Sequence, residues 1–403
     1  MKKKSSGHVY FILLLILLSH AASSQQKTIG PEGGTLSSED GRLQIIIPAG
    51  ALKQNQEIGI LPITNANPAG NGLAYRLSPH EKKFDKPVTL RFSYKRNDGS
   101  TGHPDLQGIA YQRKDGQWMS VGGGSIDTVR KTVSVETTHF SDWTQFESMR
   151  LEPANAIIGV GETAQLKLIQ YLRPEDLLFP LTAKAGKETS FGIPYLMDPQ
   201  AVKSWQLSGP GVITQSGNQC AYKAPATIKG RKTTAAVSVE LKSSVRKLLL
   251  ITDVTVVNEG ISFRIDQGDW LHFGKDICDY NDDPEYVYAT DKAGRNVSVS
   301  WDLKKSNFQF WNTSAEGLTI NFAYHLPGHS INYYSVNVSG QQENEVASPG
   351  FICLSFYNDP ENNYVSGEFR VFRAGMFDVN HQKISDHVIE GFFFVKKKMN
   401  PAL

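Results

Sequence analysis

The tetrapeptide Thr138-His139-Phe140-Ser141 has the residue types that could break a peptide bond. A serine hydroxyl can attack the carbonyl carbon of the preceding residue if a nearby base removes its proton and the peptide is twisted out of plane. Here His139 would be the base, Phe140 would supply the carbonyl and Ser141 would be the nucleophile. Because planar amides resist this attack, cleavage between Phe140 and Ser141 needs a strained turn. The alternative is that His139 and Phe140 pack in a final strand and Ser141 begins a turn.

A run of carboxylates could hold a cation. It comprises Asp276, Asp279, Asp282, Asp283 and Glu285. Ca²⁺ takes about six to eight oxygen ligands, but this spacing lacks the D-x-D-x-D-G series of an EF-hand loop. The two interpretations are a calcium site at Asp276, Asp279, Asp282 and Asp283, and a solvated acidic loop. No other cofactor is predicted.

Aromatic side chains near the carboxyl end could bind glycans if they form flat, exposed platforms. The candidates are Trp270, Trp301, Trp311, Tyr324, Tyr333 and Tyr334. In a strand-rich domain the same residues could equally fill the core.

Other catalytic patterns are missing from the sequence. The ten histidines form no H-E-x-x-H or similar ligand spacing, and neither a G-x-S-x-G motif nor a P-loop occurs. The sequence therefore predicts a non-catalytic protein, with self-cleavage at one peptide bond as the exception.

The amino terminus predicts the compartment. Lys2, Lys3 and Lys4 precede the apolar run Tyr10 to Leu18, and the small residues Ala22-Ser23-Ser24 follow. This order is typical of a secretory signal peptide spanning residues 1–24. The apolar run is shorter than the roughly 20 residues of a membrane span, so we expect an exported chain without a transmembrane anchor, located in the periplasm, on the cell surface or outside the cell.

Composition and charge narrow the class of partner. The chain has 403 residues, of which 40% are hydrophobic and 20% charged, values that exclude a polytopic membrane protein and a largely disordered one. Of the 42 basic residues, three lie in the leader, which leaves 39 against 40 acidic residues. A near-neutral mature chain gives no electrostatic reason to expect nucleic acid. The expected partner is an unidentified protein or glycan.

Export also affects the interpretation of the three cysteines, because thiols tend to pair in an oxidising compartment. Cys278 and Cys353 could form a disulfide within the carboxyl-terminal part, leaving Cys220 alone. The alternative is three small buried apolar side chains.

Short alternating or β-branched runs recur between turn signals along most of the chain. Each is of strand length rather than helix length: Leu43 to Ile47, Glu57 to Ile63, Val88 to Tyr94, Gly108 to Arg113, Thr132 to Thr137, Ala164 to Ile169, Ala235 to Leu241 and Leu248 to Val257. The pattern predicts an all-β protein with three consecutive antiparallel β-sandwich domains at residues 26–148, 149–257 and 258–398. The proline-containing segment Tyr171 to Pro199 is expected to be an extended loop within the second domain.

The first domain carries a family resemblance. The stretch Ile29-Gly-Pro-Glu-Gly-Gly-Thr-Leu36 and the later Ile46-Ile-Pro-Ala-Gly-Ala-Leu52 resemble the ZU-five domain of zonula occludens scaffolds, Unc-five netrin receptors and ankyrins. Tyr75-Arg-Leu-Ser-Pro79 and Phe84-Asp-Lys-Pro-Val88 fit the same pattern. The resemblance implies an antiparallel β-sandwich, and it adds weight to His139-Phe140-Ser141, since some ZU-five domains cut their own backbone at this tripeptide.

The remaining two thirds carry looser resemblances. Residues 149–257, with Leu151-Glu-Pro153 and Tyr222-Lys-Ala-Pro225, look like a bacterial immunoglobulin-like module. Residues 258–398 resemble small β-sandwich domains of exported bacterial proteins that have no assigned role. Together these features predict an adhesion, scaffold or envelope-interaction protein. The alternatives are a self-cleaving module whose two fragments stay associated, and a glycan-binding protein acting through its carboxyl-terminal domain.

Overall fold

The computed structural model describes most of the chain after the predicted leader. The described residues are 25–94, 102–173, 179–242, 247–282, 285–301, 308–311, 321–326, 331–334, 336–339, 344–348, 350–355 and 363–397. The predicted signal peptide, residues 1–24, lies outside them. Within them nearly all regular structure is β-strand, and the one α-helix, α1 (Phe179–Thr182), is a single turn. The all-β prediction is confirmed.

The N-terminal region, residues 25–148, consists of two facing sheets. Its strands are β1 (Gln25–Ile29), β2 (Gly34–Ser37), β3 (Leu43–Ile47), β4 (Gln56–Ile63), β5 (Gly70–Ser78), β6 (Lys83–Ser93), β7 (Gln107–Gln112), β8 (Trp118–Val121), β9 (Ser125–Asp127), β10 (Thr132–His139) and β11 (Asp142–Glu147). One sheet has the order β2-β3-β6-β10-β9. The other runs β1-β4-β5-β11-β7-β8 and continues into a strand from beyond this region.

Alternation of side chains explains how these strands make a core. In β3, Leu43, Ile45 and Ile47 are buried, while Gln44 and Ile46 are half-exposed. Successive side chains of a strand point to opposite faces, so every second residue of β3 faces the opposing sheet. A turn precedes β2, where Gly33 has φ of +79° and a Cβ would lie 2.4 Å from the Ile47 carbonyl oxygen. Only glycine fits that turn without displacing the backbone.

The middle region, residues 149–257, also has two sheets. Its strands are β12 (Met149–Glu152), β13 (Asn155–Gly159), β14 (Thr163–Gln170), β15 (Glu188–Ser190), β16 (Tyr195–Leu196), β17 (Val202–Ser208), β18 (Val212–Ser216), β19 (Gln219–Lys223), β20 (Lys232–Leu241) and β21 (Leu248–Val257). One sheet has the order β12-β14-β19-β18, with β16 paired to β14, and the other runs β13-β21-β20-β17. The β13–β21 pair is parallel, unlike the predicted antiparallel arrangement.

The segment Tyr171 to Pro199 differs from its prediction as a loop confined to the second domain. Residues 174–178 lie outside the described part, but β15 within this segment pairs with β8 of the N-terminal region. The three-residue strand has no hydrophobic alternation of its own. It is held by the exposed edge of β8, where unpaired backbone groups favour the addition of a strand.

The C-terminal region, residues 258–397, is built on one large sheet. Its strands are β22 (Gly260–Ile265), β23 (Leu271–Gly274), β24 (Cys278–Asp282), β25 (Glu285–Thr290), β26 (Asn296–Ser300), β27 (Phe308–Trp311), β28 (Asn321–Leu326), β29 (Ile331–Tyr334), β30 (Val336–Ser339), β31 (Asn344–Ala347), β32 (Gly350–Ser355), β33 (Tyr364–Phe377) and β34 (Lys383–Lys396). The main path is β23-β22-β34-β33-β29-β28-β26-β25-β24, with β32 and β27 branching from β33 and β30-β31 forming a hairpin.

This large sheet replaces the two separate sheets expected for the third domain. β24 and β34, distant in the strand order, pack against each other, so the sheet curls around its own core. We call the inner side of this curl the concave face. It carries the buried side chains of Phe263, Val299, Phe322, Ile389 and Phe393.

Each region has its own main cluster of buried apolar side chains. The clusters overlap slightly, because Leu106 of the N-terminal region belongs to the middle core. The predicted domain boundaries stay predictions. Within the part of the chain that the structure describes, no helix has the length and apolar character needed to cross a membrane.

Candidate functional site

The predicted cleavage site lies where the chain passes from one sheet of the N-terminal region to the other. β10 ends at His139 in the sheet that contains β6, and β11 begins at Asp142 in the sheet that contains β5 and β7. Phe140 and Ser141 are therefore the connector between the two layers. In β10 the side chains of Val133, Val135 and Thr137 are buried, and a register shift between Thr137 and His139 then interrupts this alternation. The Phe140 side chain that follows is fully buried.

The backbone around Phe140 is fixed by the preceding turn. The Phe140 amide donates to the Lys82 carbonyl at 2.8 Å, and the Phe140 carbonyl accepts from the Glu81 amide at 3.2 Å. The ring packs edge-on against Phe84, with centroids 4.7 Å apart. The carbonyl that would be attacked is thus already hydrogen-bonded to an N–H group, in the position where a donor could stabilise negative charge on that oxygen.

Ser141 directs its hydroxyl away from a base. Its Oγ donates to the Gln112 carbonyl at 2.6 Å, and its own carbonyl accepts from the Leu77 amide at 3.1 Å. A carbonyl oxygen accepts a hydrogen bond but does not take up the proton near neutral pH. In this arrangement Ser141 links β7 to the connector.

His139 contacts aromatic rings and a threonine. Its ring lies 4.7 Å from Tyr111 and 5.4 Å from Trp143, and Nδ1 lies 3.3 Å from Thr137 Oγ1. Partial burial lowers the pKa of His139, and Lys83 lowers it further against the opposing charge of Glu188. The imidazole is therefore mainly neutral at pH 7, the charge state of a base, but its hydrogen bond goes to Thr137 and not to Ser141.

His139, Phe140 and Ser141 are adjacent in the sequence, but their side chains do not form a catalytic contact. An N-to-O acyl shift needs the serine proton to reach a base, and here the proton points to Gln112. Asp142, the next residue, forms a two-pronged ion pair with Arg76 at 2.9 and 2.8 Å, which secures the start of β11. The geometry supports a structural connector, and self-cleavage stays a prediction.

Comparison with known proteins gives no family. No protein-family model matches the chain, and no curated protein matches it either. The ZU-five and immunoglobulin-like resemblances therefore stay predictions carried by the residues quoted above.

The acidic run is spread along one hairpin. Asp276 lies in a 3₁₀ turn, Asp279 and Asp282 belong to β24, and Asp283 lies outside the described residues. Asp279 accepts hydrogen bonds from the Tyr280 amide at 2.9 Å and from the Tyr288 hydroxyl at 3.4 Å. Within the described part of the chain, no group of three or more His, Cys, Asp or Glu side chains is placed to hold a metal ion. The calcium site stays a prediction.

The aromatic residues predicted to form a binding platform lie in different places. Trp301 and Tyr324 are 3% and 2% exposed, and Trp301 stacks on Phe393 with centroids 5.3 Å apart. Tyr333 and Tyr334 are half-buried, and the side chain of Trp311 lies outside the described part. Trp270 packs against Phe392, 5.0 Å away. Trp301 and Tyr324 therefore act as core residues, since flat binding platforms must be exposed.

The disulfide predicted between Cys278 and Cys353 stays a prediction. The structure draws no bond between the three cysteines, and the Cys278 thiol donates to the Phe273 carbonyl at 3.0 Å. Cys278 is part of the core. In β32, by contrast, Ile352 and Leu354 face the core, so alternation turns Cys353 to the opposite face. The two thiols thus lie on different sides of the sheet, which sequence distance alone could not reveal.

Two joints between the regions were missed by sequence reasoning. The joint between the middle and C-terminal regions has a core of Ile157, Val257, Tyr364, Phe392 and Phe394. Beside it lies a polar cleft of about 210 Å³ whose lining includes Lys232, Asp253, Cys353 and Glu368. The joint between the N-terminal and middle regions is a second buried cluster, which includes Trp118, Phe146 and Tyr171. No local pattern marks these residues, because their partners lie far away in the sequence.

Proposed function

We propose that the protein is an exported, load-bearing adhesion or scaffold array whose three regions act as one stiff unit. The observation that carries the proposal is the structure of the two joints, each of which combines a buried apolar cluster with hydrogen bonds between regions. Neighbouring regions joined only by a small polar contact move relative to one another by default. Buried and hydrogen-bonded joints oppose that motion.

The joint between the middle and C-terminal regions is centred on Ile157 of β13. Its amide donates to Ser355 Oγ at 2.9 Å, and its carbonyl accepts from Ser366 Oγ at 2.7 Å. β13 is the edge strand of its sheet, and unpaired edge groups are costly to bury. The two serines satisfy both outward backbone groups of Ile157.

Charged side chains reinforce the rim of the same joint. Lys396 Nζ lies 2.7 Å from Glu162 Oε1. Lys232 Nζ lies 5.7 Å from the ring centroid of Trp270, on the other side of the joint. Contacts of this kind add little individually at a surface, so the apolar core and the serine bonds hold the joint.

The joint between the N-terminal and middle regions uses a transferred strand. β15 adds to β8, with the Gly122 amide donating to the Lys187 carbonyl at 2.8 Å. The Tyr111 hydroxyl donates to Glu188 at 3.0 Å. Beneath them Ala110, Trp118 and Phe146 pack with Tyr171 and Leu172 of the middle region.

Arg150 connects the two regions on the other side of this joint. Its guanidinium donates to the Gly70 carbonyl at 3.1 Å and to Glu152 at 3.0 Å, and it lies 4.9 Å from the Tyr171 ring centroid. Burial tends to lower the pKa of Arg150, but Tyr171, Glu152 and Glu147 together raise it. The charge is therefore retained, and it is paired.

Stiffness is tested by small-angle scattering on residues 25–403 and on two proline variants. Thr189→Pro removes a donor from the centre of β15, and Thr214→Pro places the same change in β18, an edge strand that pairs only within the middle region. We expect a single rigid shape for the wild type and for Thr214→Pro, and a broader distribution of dimensions for Thr189→Pro. A wild type with a distribution of dimensions as broad as that of Thr189→Pro would contradict the proposed stiffness.

Adhesion is tested by coating beads with the same protein and applying flow over immobilised polysaccharides and bacterial envelope preparations. We expect wild-type and Thr214→Pro beads to be retained at shear that removes albumin-coated beads, and Thr189→Pro beads to detach earlier. Retention no better than that of albumin on every surface would contradict the proposed function.

A further inference from the structure

A hydrogen-bonded chain of three side chains lies within the C-terminal region. Ser385 Oγ lies 2.7 Å from His387 Nε2. The other ring nitrogen, His387 Nδ1, is hydrogen-bonded to Asp266 Oδ2. The His387 side chain is 19% exposed and that of Asp266 is 56% exposed, so the chain is open to solvent at one end. A serine, a histidine and an aspartate joined in this order are the elements of a nucleophilic hydrolase.

The strand geometry sets the positions of Ser385 and His387. Both lie in β34, two residues apart, so their side chains leave the same face. Ile389, two residues further on, belongs to the core of the concave face. Ser385 and His387 therefore lie where the concave face reaches solvent. The pairing of β33 with β34 shifts register on both sides of this stretch, between Val371 and Ala374 and between Met376 and Phe377, and such bulges re-aim side chains.

Asp266 is held by the end of β22. It follows Ile265, has φ of +54°, and donates from its amide to the Val388 carbonyl at 2.8 Å. Its Oδ1 accepts from the Val388 amide at 2.8 Å. The Val388 amide thus bonds to the Asp266 carboxylate and not to a backbone carbonyl of β22. The second carboxylate oxygen, Oδ2, is left to bond His387.

This arrangement selects the tautomer of His387. An ionised carboxylate only accepts hydrogen bonds, so the proton of the neutral imidazole lies on Nδ1. Nε2 then has a free lone pair and accepts the hydrogen bond from the Ser385 hydroxyl. The hydrogen bond to His387 and the Val388 amide lower the pKa of Asp266 against the opposing effect of desolvation, which keeps the carboxylate charged.

A second serine–histidine pair in the same region lacks the third group. Ser262 Oγ lies 2.8 Å from His272 Nδ1. Among the described residues, no carboxylate is hydrogen-bonded to His272. Burial lowers the pKa of His272, and Arg231 lowers it further. Ser262 itself is 2% exposed, so this pair is an internal control in which the serine is buried and the histidine is not oriented by an acid.

We propose that Ser385, His387 and Asp266 form a hydrolytic site for small acyl esters. Ser385 is the nucleophile, His387 is the general base, and Asp266 is a positioning residue. The Tyr333 ring meets the His387 ring edge-on with centroids 5.4 Å apart, so an aromatic side chain lies beside the base. Ser385 itself is half-buried, which suits a short acyl group, either free or projecting from a larger molecule.

Hydrolysis of the ester at this site needs no reagent other than water. Ser385 Oγ attacks the ester carbonyl carbon while its proton passes to His387 Nε2. The tetrahedral intermediate collapses, the bond to the leaving alcohol breaks, and the alcohol takes the proton from His387. Water then attacks the acyl-Ser385 ester, giving its proton to His387, and the carboxylic acid leaves as the proton returns to Ser385.

The site is tested with residues 25–403, a fluorophosphonate probe and p-nitrophenyl acetate. We expect the probe to label Ser385 in the wild type and in Ser262→Ala, as mapped by peptide mass spectrometry. Ser385→Ala and His387→Gln should abolish that label and reduce ester hydrolysis to the rate without protein. The circular dichroism spectrum and thermal midpoint of each variant show whether it is folded. Labelling elsewhere only, or hydrolysis unchanged in Ser385→Ala, would overturn the proposal.

Asp266 is tested with Asp266→Asn, which keeps the shape and can hold the left-handed backbone. We expect labelling of Ser385 to slow by about tenfold or more, since a neutral amide no longer selects the productive tautomer. The ¹⁵N shifts of His387 should show the proton on Nδ1 in the wild type and a mixture of tautomers in the variant. Identical shifts and labelling rates in both proteins would show that Asp266 has only a structural role.

Discussion

Ser366 donates a hydrogen bond from its hydroxyl to the carbonyl of Ile157 at 2.7 Å, across 209 positions of sequence. Ser366 is fully buried, and Ile157 is 6% exposed. The bond joins the middle and C-terminal regions at a buried place. Replacing Ser366 by alanine would remove this contact between the regions by deleting a single oxygen atom.

Ser366→Ala should destabilise the protein by about 1–3 kcal/mol, because it leaves the Ile157 carbonyl buried without a donor. Denaturant unfolding measures this loss. Ser348→Ala is the matched control, since Ser348 is also fully buried and donates to the Arg373 carbonyl at 2.6 Å within its own region. We expect only Ser366→Ala to split unfolding into separate steps for the middle and C-terminal regions. A single step of unchanged midpoint would show that Ser366 does not couple them.

The sequence predicts the fold class because the strands are locally encoded. β3 alternates buried and half-exposed residues, and its hydrophobic positions are visible in Leu43, Ile45 and Ile47. β15 has no such pattern: Glu188, Thr189 and Ser190 are polar or small, and only the edge of β8 makes them a strand. Local patterns thus predict strands that have an apolar face of their own. They fail for a strand such as β15, which forms because a neighbouring strand edge pairs with it.

The candidate sites also depend on contacts between residues that are distant in sequence. His139, Phe140 and Ser141 are adjacent in sequence and easily noticed, but their hydrogen bonds go to Thr137, Lys82 and Gln112. Ser385 and His387 are also close in sequence. Their acid, Asp266, lies 121 positions before His387 and reaches it only because β22 pairs with β34.

The predicted cleavage is tested by the intact mass of residues 25–403 under denaturing conditions, beside Ser141→Ala. We expect one uncleaved mass for both proteins, because the Ser141 hydroxyl donates to Gln112 and no hydrogen bond joins it to His139 among the described residues. Fragments that end at Phe140 and begin at Ser141, present in the wild type and missing in Ser141→Ala, would establish self-cleavage.

The pKa of Tyr111 shows whether β15 is packed against the N-terminal region, because Glu188 of β15 accepts a hydrogen bond from the Tyr111 hydroxyl. Burial, together with the hydrogen bond to Glu188, raises the pKa of Tyr111 to about 12. Because the folded state favours the neutral phenol, this contribution to stability is complete below the ordinary pKa of about 10. It is lost as the pH rises through 12. Absorbance at 295 nm, wild type minus Tyr111→Phe, should titrate near pH 12.

Glu188→Gln provides the control for that titration, because it removes the negative charge while keeping an acceptor. We expect the pKa of Tyr111 to fall in this variant, since two of the causes that raise it come from Glu188. A difference spectrum that already titrates near pH 10 in the wild type would mean that β15 does not cover Tyr111 in solution.

The three cysteines should react at different rates. Burial raises the pKa of Cys278 to about 12 and that of Cys220 to about 11, so at pH 8 the thiolate fraction of Cys278 is only about 10⁻⁴. Cys353 is half-buried and lines the cleft at the joint. We expect iodoacetamide to modify Cys353 first in the folded protein, and all three cysteines at similar rates in urea. If Cys278 and Cys353 resist modification in urea until a reductant is added, they form the disulfide predicted from the sequence, and the two thiols do not lie on opposite faces of the sheet in solution.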